Sequence, residues 1–185
     1  MSFNINFKIA HYNDEQQIEF YSIFKNLSHT VGCYYMGYIL EDLETKTRLG
    51  FTTNRDLQNV YIENNMIEEC HLWSRVSNYY SNTNKAHLIL PWLMIRPETS
   101  KQKDLILFRE EHGVGQDGVS FCTRTDRYRE YLYFAPEKNE LRFLQHLSAN
   151  MHLIRASTHY FRFSALANIA NNKTSTNFLF FGERE

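Results

Sequence analysis

The sequence predicts an α+β domain, a three-layer α-β-α sandwich around a mainly antiparallel sheet of about five strands. Three observations lead there. Two hairpin patterns, at 33–53 and 118–134, rule out a fully parallel sheet. Helical periodicities precede, separate and follow these hairpins, so both faces of the sheet have helices to cover them. Finally, 185 residues that are 43% hydrophobic suffice for one layered core. Phe 14 and Tyr 12 make the chain unusually rich in large rings. Such rings either fill a solid core, the commoner use, or line an internal cavity.

The elements follow in order. Asn13 is a good N-cap, with Gln16 in the capping-box position, and Phe20, Ile23, Phe24 and Leu27 then recur at helical spacing up to Gly32. Cys33–Leu40 is ring-rich and reads as a strand, Glu41–Lys46 as a polar turn, and Thr47–Thr53 as the returning strand. Asn54 caps a short helix bearing Leu57, Val60 and Tyr61, which Asn64 and Asn65 stop. A second helix aligns Leu72, Trp73, Val76 and Tyr80. After a polar loop, His87–Ile95 reads as a buried strand that Pro91 kinks or confines to an edge. Thr99 or Ser100 caps a helix running through Leu105 and Phe108 to Gly113, and the second hairpin turns at Thr125–Arg127. Leu141, Leu144, Leu147, Met151, Ile154, Thr158 and Phe161 mark one last long helix whose apolar stripe packs on the sheet or, as the alternative, forms a dimer seam.

Charge and cysteine content exclude several functions. A formal net charge of −1 gives no broad field for nucleic acid or acidic membrane. Cys33, Cys70 and Cys122 are too few and too widely spaced for a disulfide scaffold or a zinc knuckle. The N-terminus lacks a secretory layout, and the apolar run Leu88–Ile95 is too short to span a bilayer. A cytoplasmic location is the expectation. The loop Gly113–Gly118 lacks the Lys-Ser/Thr ending of a phosphate cradle, and Ser120 lacks the second glycine of a nucleophile elbow. Cys70 and His71 read as a small buried thiol beside a surface histidine, without further ligands at metal-like spacing. No catalytic set, metal site or cofactor is therefore expected, and the chain is not expected to be an enzyme.

The stretch from Gly-Phe-Thr-Thr-Asn-Arg-Asp-Leu-Gln-Asn-Val-Tyr (Gly50–Tyr61) to Phe-Arg-Glu-Glu-His-Gly-Val-Gly-Gln-Asp-Gly-Val-Ser (Phe108–Ser120) resembles the ligand-sensing, autoinducer-binding domain of LuxR-type quorum regulators. The resemblance covers roughly residues 32–160. It implies an α-β-α sandwich with a pocket for an acyl-homoserine lactone. In that family a Trp, a Tyr four residues on and an Asp-Pro pair nine residues later follow the first hairpin. Here the Tyr is Tyr61, but the Trp position falls on Leu57 and the Asp-Pro pair on Cys70-His71. Leu90-Pro91-Trp92 resembles the stretch supplying a second pocket tryptophan, and Gly113 and Gly118 resemble the family's turn glycines, one residue out of step. The family Asp accepts the ligand's amide N–H and the Trp donates to the lactone carbonyl. Leu57 cannot donate and Cys70 accepts poorly, so an unpaired amide would cost about 1–3 kcal/mol.

The expectation is therefore a sensor for a small lipophilic signal, not a lactone in the usual pose. Its pocket residues are Tyr35, Leu57, Tyr61, Cys70, Trp73, Trp92 and Phe108, with the Tyr61 hydroxyl as the main polar contact. The alternative is a ligand-free dimerisation module of the same fold. Residues 1–170 are read as the sensor, acting as a homodimer, and 171–185 as a linker. The ending Phe-Gly-Glu-Arg-Glu is similar to the entry phrase of the family's helix-turn-helix, through which alone DNA would be bound, outside this chain. A charged surface tail reads equally well.

Overall fold

The computed structural model of the protein describes residues 14–171 other than 46–47, 65, 138–139 and 141. The chain runs through α1 (Asp14–Val31), β1 (Tyr35–Asp42), β2 (Arg48–Thr52), α2 (Arg55–Glu63), α3 (Met66–Glu69) and α4 (His71–Ser81). It continues through β3 (His87–Pro91), a 3-10 turn (Trp92–Met94), α5 (Ser100–Glu111), β4 (Val119–Arg124), β5 (Tyr128–Ala135), α6 (Phe143–Ala149) and α7 (Met151–Asn171). The five strands form one sheet in the order β2-β1-β5-β4-β3, and every neighbouring pair is antiparallel. The two hairpins are joined where β1 meets β5, from Tyr35 opposite Ala135 to Asp42 opposite Tyr128.

The strand period of two sorts the side chains into two cores. Met36, Tyr38 and Leu40 of β1 share one face with Leu49, Phe51, Leu132 and Phe134, and pack against Phe24 and Leu27 of α1 and Leu147, Ile154 and Phe161 of α6 and α7. Tyr35 and Ile39 share the opposite face with Cys122 and Tyr131, and meet Leu57, Tyr61, Ile67, Val76 and Leu105 from α2 to α5. The sheet is thus covered on both sides, as the element order predicts. Caps form where expected: the Asn54 side chain accepts from the Leu57 amide at 3.0 Å and Thr99 from the Gln102 amide at 3.2 Å. Gly32 and Gly113 end their helices at φ of 71° and 79°.

Four expectations need correction. The last helix is two, α6 and α7, because Asn150 leaves helical geometry and its side-chain N–H donates to the His146 carbonyl at 2.8 Å. The stripe consequently shifts: Phe143 is buried while Leu144 is exposed. The first turn starts later than expected, since Glu41 and Asp42 extend β1 and are buried in ion pairs. The strand ends at Pro91 instead of Ile95 and only Leu90 of it is buried, although its place at the sheet edge is the one that Pro91 suggests. His71 is buried instead of lying on the surface. The Asn13 cap, Leu141 and the polar stretch beyond Asn171 lie outside the described residues.

Candidate functional site

Between the second face of the sheet and α2–α5 lies a cavity of about 100 Å³. Its floor comes from alternate positions of the central strands: Tyr35 and Ile39 of β1, Tyr131 and Tyr133 of β5, and Ser120 of β4. Gly37, between the two β1 positions, makes room for a ring: a Cβ there would sit 2.2 Å from Tyr133. Leu57 and Tyr61, four apart on α2, face this floor together with Ile67 of α3 and Leu72, Trp73 and Val76 of α4. Cys70 enters from the N-cap of α4, and Arg109 from the last turn of α5. Trp92 follows Pro91 into the 3-10 turn, where its indole N–H donates to Ser120 Oγ at 2.9 Å.

Six of the seven residues expected to line a pocket, Tyr35, Leu57, Tyr61, Cys70, Trp73 and Trp92, therefore meet in one wall. Phe108 does not line it. Successive residues on a helix point about 100° apart, and on α5 it is Arg109 that reaches the cavity. The Phe108 ring sits 6.0 Å from the Tyr61 ring and 4.2 Å from the His112 ring. Among the polar lining residues, sequence reasoning missed Arg109, Ser120, Tyr131 and Tyr133. Strand alternation offered a signal for Ser120, Tyr131 and Tyr133, but the face of Arg109 could not be told from a short amphipathic pattern.

The Tyr35 hydroxyl lies near the side chains of Thr52 and Tyr133. The hydroxyls of Tyr61 and Tyr131 are buried with no hydrogen-bond partner among the described residues. Burial pushes all four phenols above their ordinary range. It also raises the Cys122 thiol, and that of Cys33 to about 12, so neither is a ready nucleophile. No group of three or more His, Cys, Asp or Glu among the described residues could hold a metal ion, and no described helix is long and apolar enough to cross a membrane.

Burial and, second, the nearby Arg109 lower His71 from 6.5 to about 4. A folded-state value below the unfolded one means that the unfolded chain takes up the proton first. The contribution of neutral His71 is then complete above about pH 6.5 and is lost as pH falls towards 4. Urea midpoints measured between pH 7 and pH 4 should fall more steeply for the wild type than for His71→Gln; equal slopes would refute this.

Gly118 supports the tryptophan of the wall. A Cβ at this position would lie 2.3 Å from the Trp92 ring. Gly118→Ala should therefore displace the indole, break its bond to Ser120 and cost about 1–3 kcal/mol. Indole fluorescence and thermal melting check this, and an unshifted emission maximum with an unchanged melting temperature would count against it.

Five antiparallel strands in this order, with a helical layer on each face, form the α+β fold of solved LuxR-family autoinducer-binding domains. Escherichia coli SdiA matches at 15% identity and a TM-score of 0.54, covering 84% of this chain and 61% of its own. CepR2 from Burkholderia cenocepacia, an N-acylhomoserine lactone-dependent LuxR family transcription factor, matches at 11% identity and a TM-score of 0.52, covering 83% of this chain and 99% of its own. The chain thus spans less than two thirds of the length of SdiA. No protein-family model matches the sequence, and no curated protein matches it.

Proposed function

We propose that this chain is the sensing domain of a transcription regulator and holds a small, largely apolar signal molecule in the cavity between the sheet and α2–α5. The observation that carries the reading is the cavity itself. Native interiors are close-packed, and a void of about 100 Å³ walled by rings is unusual where a solid core was available. The orphan Tyr61 hydroxyl in its wall agrees, because a buried hydroxyl without a partner is rare and one hydrogen bond from a ligand would satisfy it. Leu57 and Cys70 stand in the wall at the positions where the resemblance places a Trp and an Asp, which argues against a lactone bound in the usual pose.

The test is a thermal-shift and native mass-spectrometry screen against acyl lactones, fatty acids and aryl ketones. A ligand at a hundred times its dissociation constant should raise stability by about 2.7 kcal/mol. No shift with any lipophile would remove the proposal. The competing reading, a pairing module with no ligand, draws on exposed Leu144, Leu153 and Phe163 of α6 and α7. Sedimentation showing tight dimers, unaffected by every compound of the screen, would favour it.

A further inference from the structure

Arg109 is the charged side chain of the cavity wall, and it is only 8% exposed. Its guanidinium lies 5.2 Å from the centre of the Trp92 ring. No carboxylate among the described residues forms an ion pair with it, although the buried arginine Arg48 pairs with Glu41. The ring face and the negative end of α5 offset part of the cost of burying this cation. The ring face offers no oxygen acceptor to its five N–H donors.

The groups around Arg109 are donors as well. Tyr61 carries a buried hydroxyl with no hydrogen-bond partner among the described residues. Ser120 Oγ already accepts from Trp92, which leaves its own proton to give. His71, close enough to feel the guanidinium, is held neutral, so the site presents one positive charge and not two. An ionised carboxylate only accepts hydrogen bonds and carries one negative charge, which matches this set. An acyl lactone brings an amide N–H that needs an acceptor, and Cys70 is a poor one.

We propose that the cavity binds a carboxylate amphiphile, with its carboxylate on Arg109 and its hydrocarbon or aromatic body against Leu57, Ile67, Leu72 and Val76. The inference rests on the sensing reading and names the ligand class for the same site. A cavity of about 100 Å³ suits a body of about one benzene ring or a short alkyl chain. Where the resemblance implies an anionic protein group facing a neutral ligand, this chain reverses the polarity.

Calorimetric titration of the intact chain with matched probes tests this: hexanoate and benzoate, their methyl esters, hexanol, and N-hexanoyl-homoserine lactone. The acids should bind at least tenfold more tightly than the esters, about 1.4 kcal/mol. Arg109→Met should abolish that preference, and Arg109→Lys, which keeps the charge but loses the planar fork, should keep part of it. The comparison of acid with ester in the wild type needs no variant to fold. Esters, alcohol or lactone binding the wild type as tightly as the acids would overturn the carboxylate assignment and leave the sensing reading standing. Failure of every probe, charged or neutral, would overturn both.

Discussion

Phe161→Ala should be the most damaging single truncation on the α1/α7 side of the sheet, costing about 4 kcal/mol and lowering the melting temperature by roughly 8–16 °C. Phe161 is fully buried at the centre of a ring cluster. Its ring stacks on Phe24 at 4.6 Å, and lies 5.4 Å from Tyr38 and 6.2 Å from Phe51. One side chain of α7 thus contacts α1, β1 and β2 at once. Its removal leaves a void that three elements border and none can fill without leaving the others. A domain with about 5–15 kcal/mol of total stability would lose a large part of it. Urea unfolding followed by circular dichroism measures the change, and a loss below about 1 kcal/mol would show that the cluster collapses around the gap.

Glu41→Ala should be comparably costly on the other side, about 3–5 kcal/mol. Glu41 sits on β1 between two arginines: Oε1 accepts from Arg48 Nε at 3.0 Å, and Oε2 lies 3.2 Å from Arg129 Nε. The second contact is an ion pair without hydrogen-bond geometry, since both of its atoms lack a hydrogen-bond partner among the described residues. Arg48 in turn lies 4.3 Å from the Trp73 ring, which packs on Tyr131 at 4.5 Å. Removing the carboxylate leaves two cations without this counter-charge, Arg48 almost wholly buried. The effect should reach the cavity, because Trp73 and Tyr131 belong to its wall. Glu41→Gln, which keeps the shape and one acceptor, should lose less than Glu41→Ala. Equal melting temperatures for wild type and Glu41→Ala would show that the triad adds nothing to stability.

Much of the architecture was legible because local patterns carry it. Hairpins announce antiparallel pairing through their own turns, and the Asn54 and Thr99 caps mark helix starts within four residues of sequence. The pocket was partly legible for the same reason. Tyr35, Leu57, Tyr61, Cys70, Trp73 and Trp92 are large or landmark residues on elements whose inward faces can be read. Errors arose where a distant partner decides. Glu41 and Asp42 look like turn residues until Arg48, Arg129 and Arg127 are brought beside them. His71 looks like a surface residue until it is packed near Arg109. The apolar stripe of the last helix hid a break because Leu144 fits the spacing as well as Phe143 does.

The amino-acid order alone determined the class of fold and the two hairpins, since each depends on short-range periodicity. Only the tertiary structure decided that the rings line a space instead of filling it, and that Arg109, not Phe108, faces it. Both outcomes turn on how far α5 is rotated against the sheet and on glycines at positions 37 and 118 that let neighbouring rings lie flat. Such packing is settled by many distant contacts together, and no stretch of sequence carries it by itself.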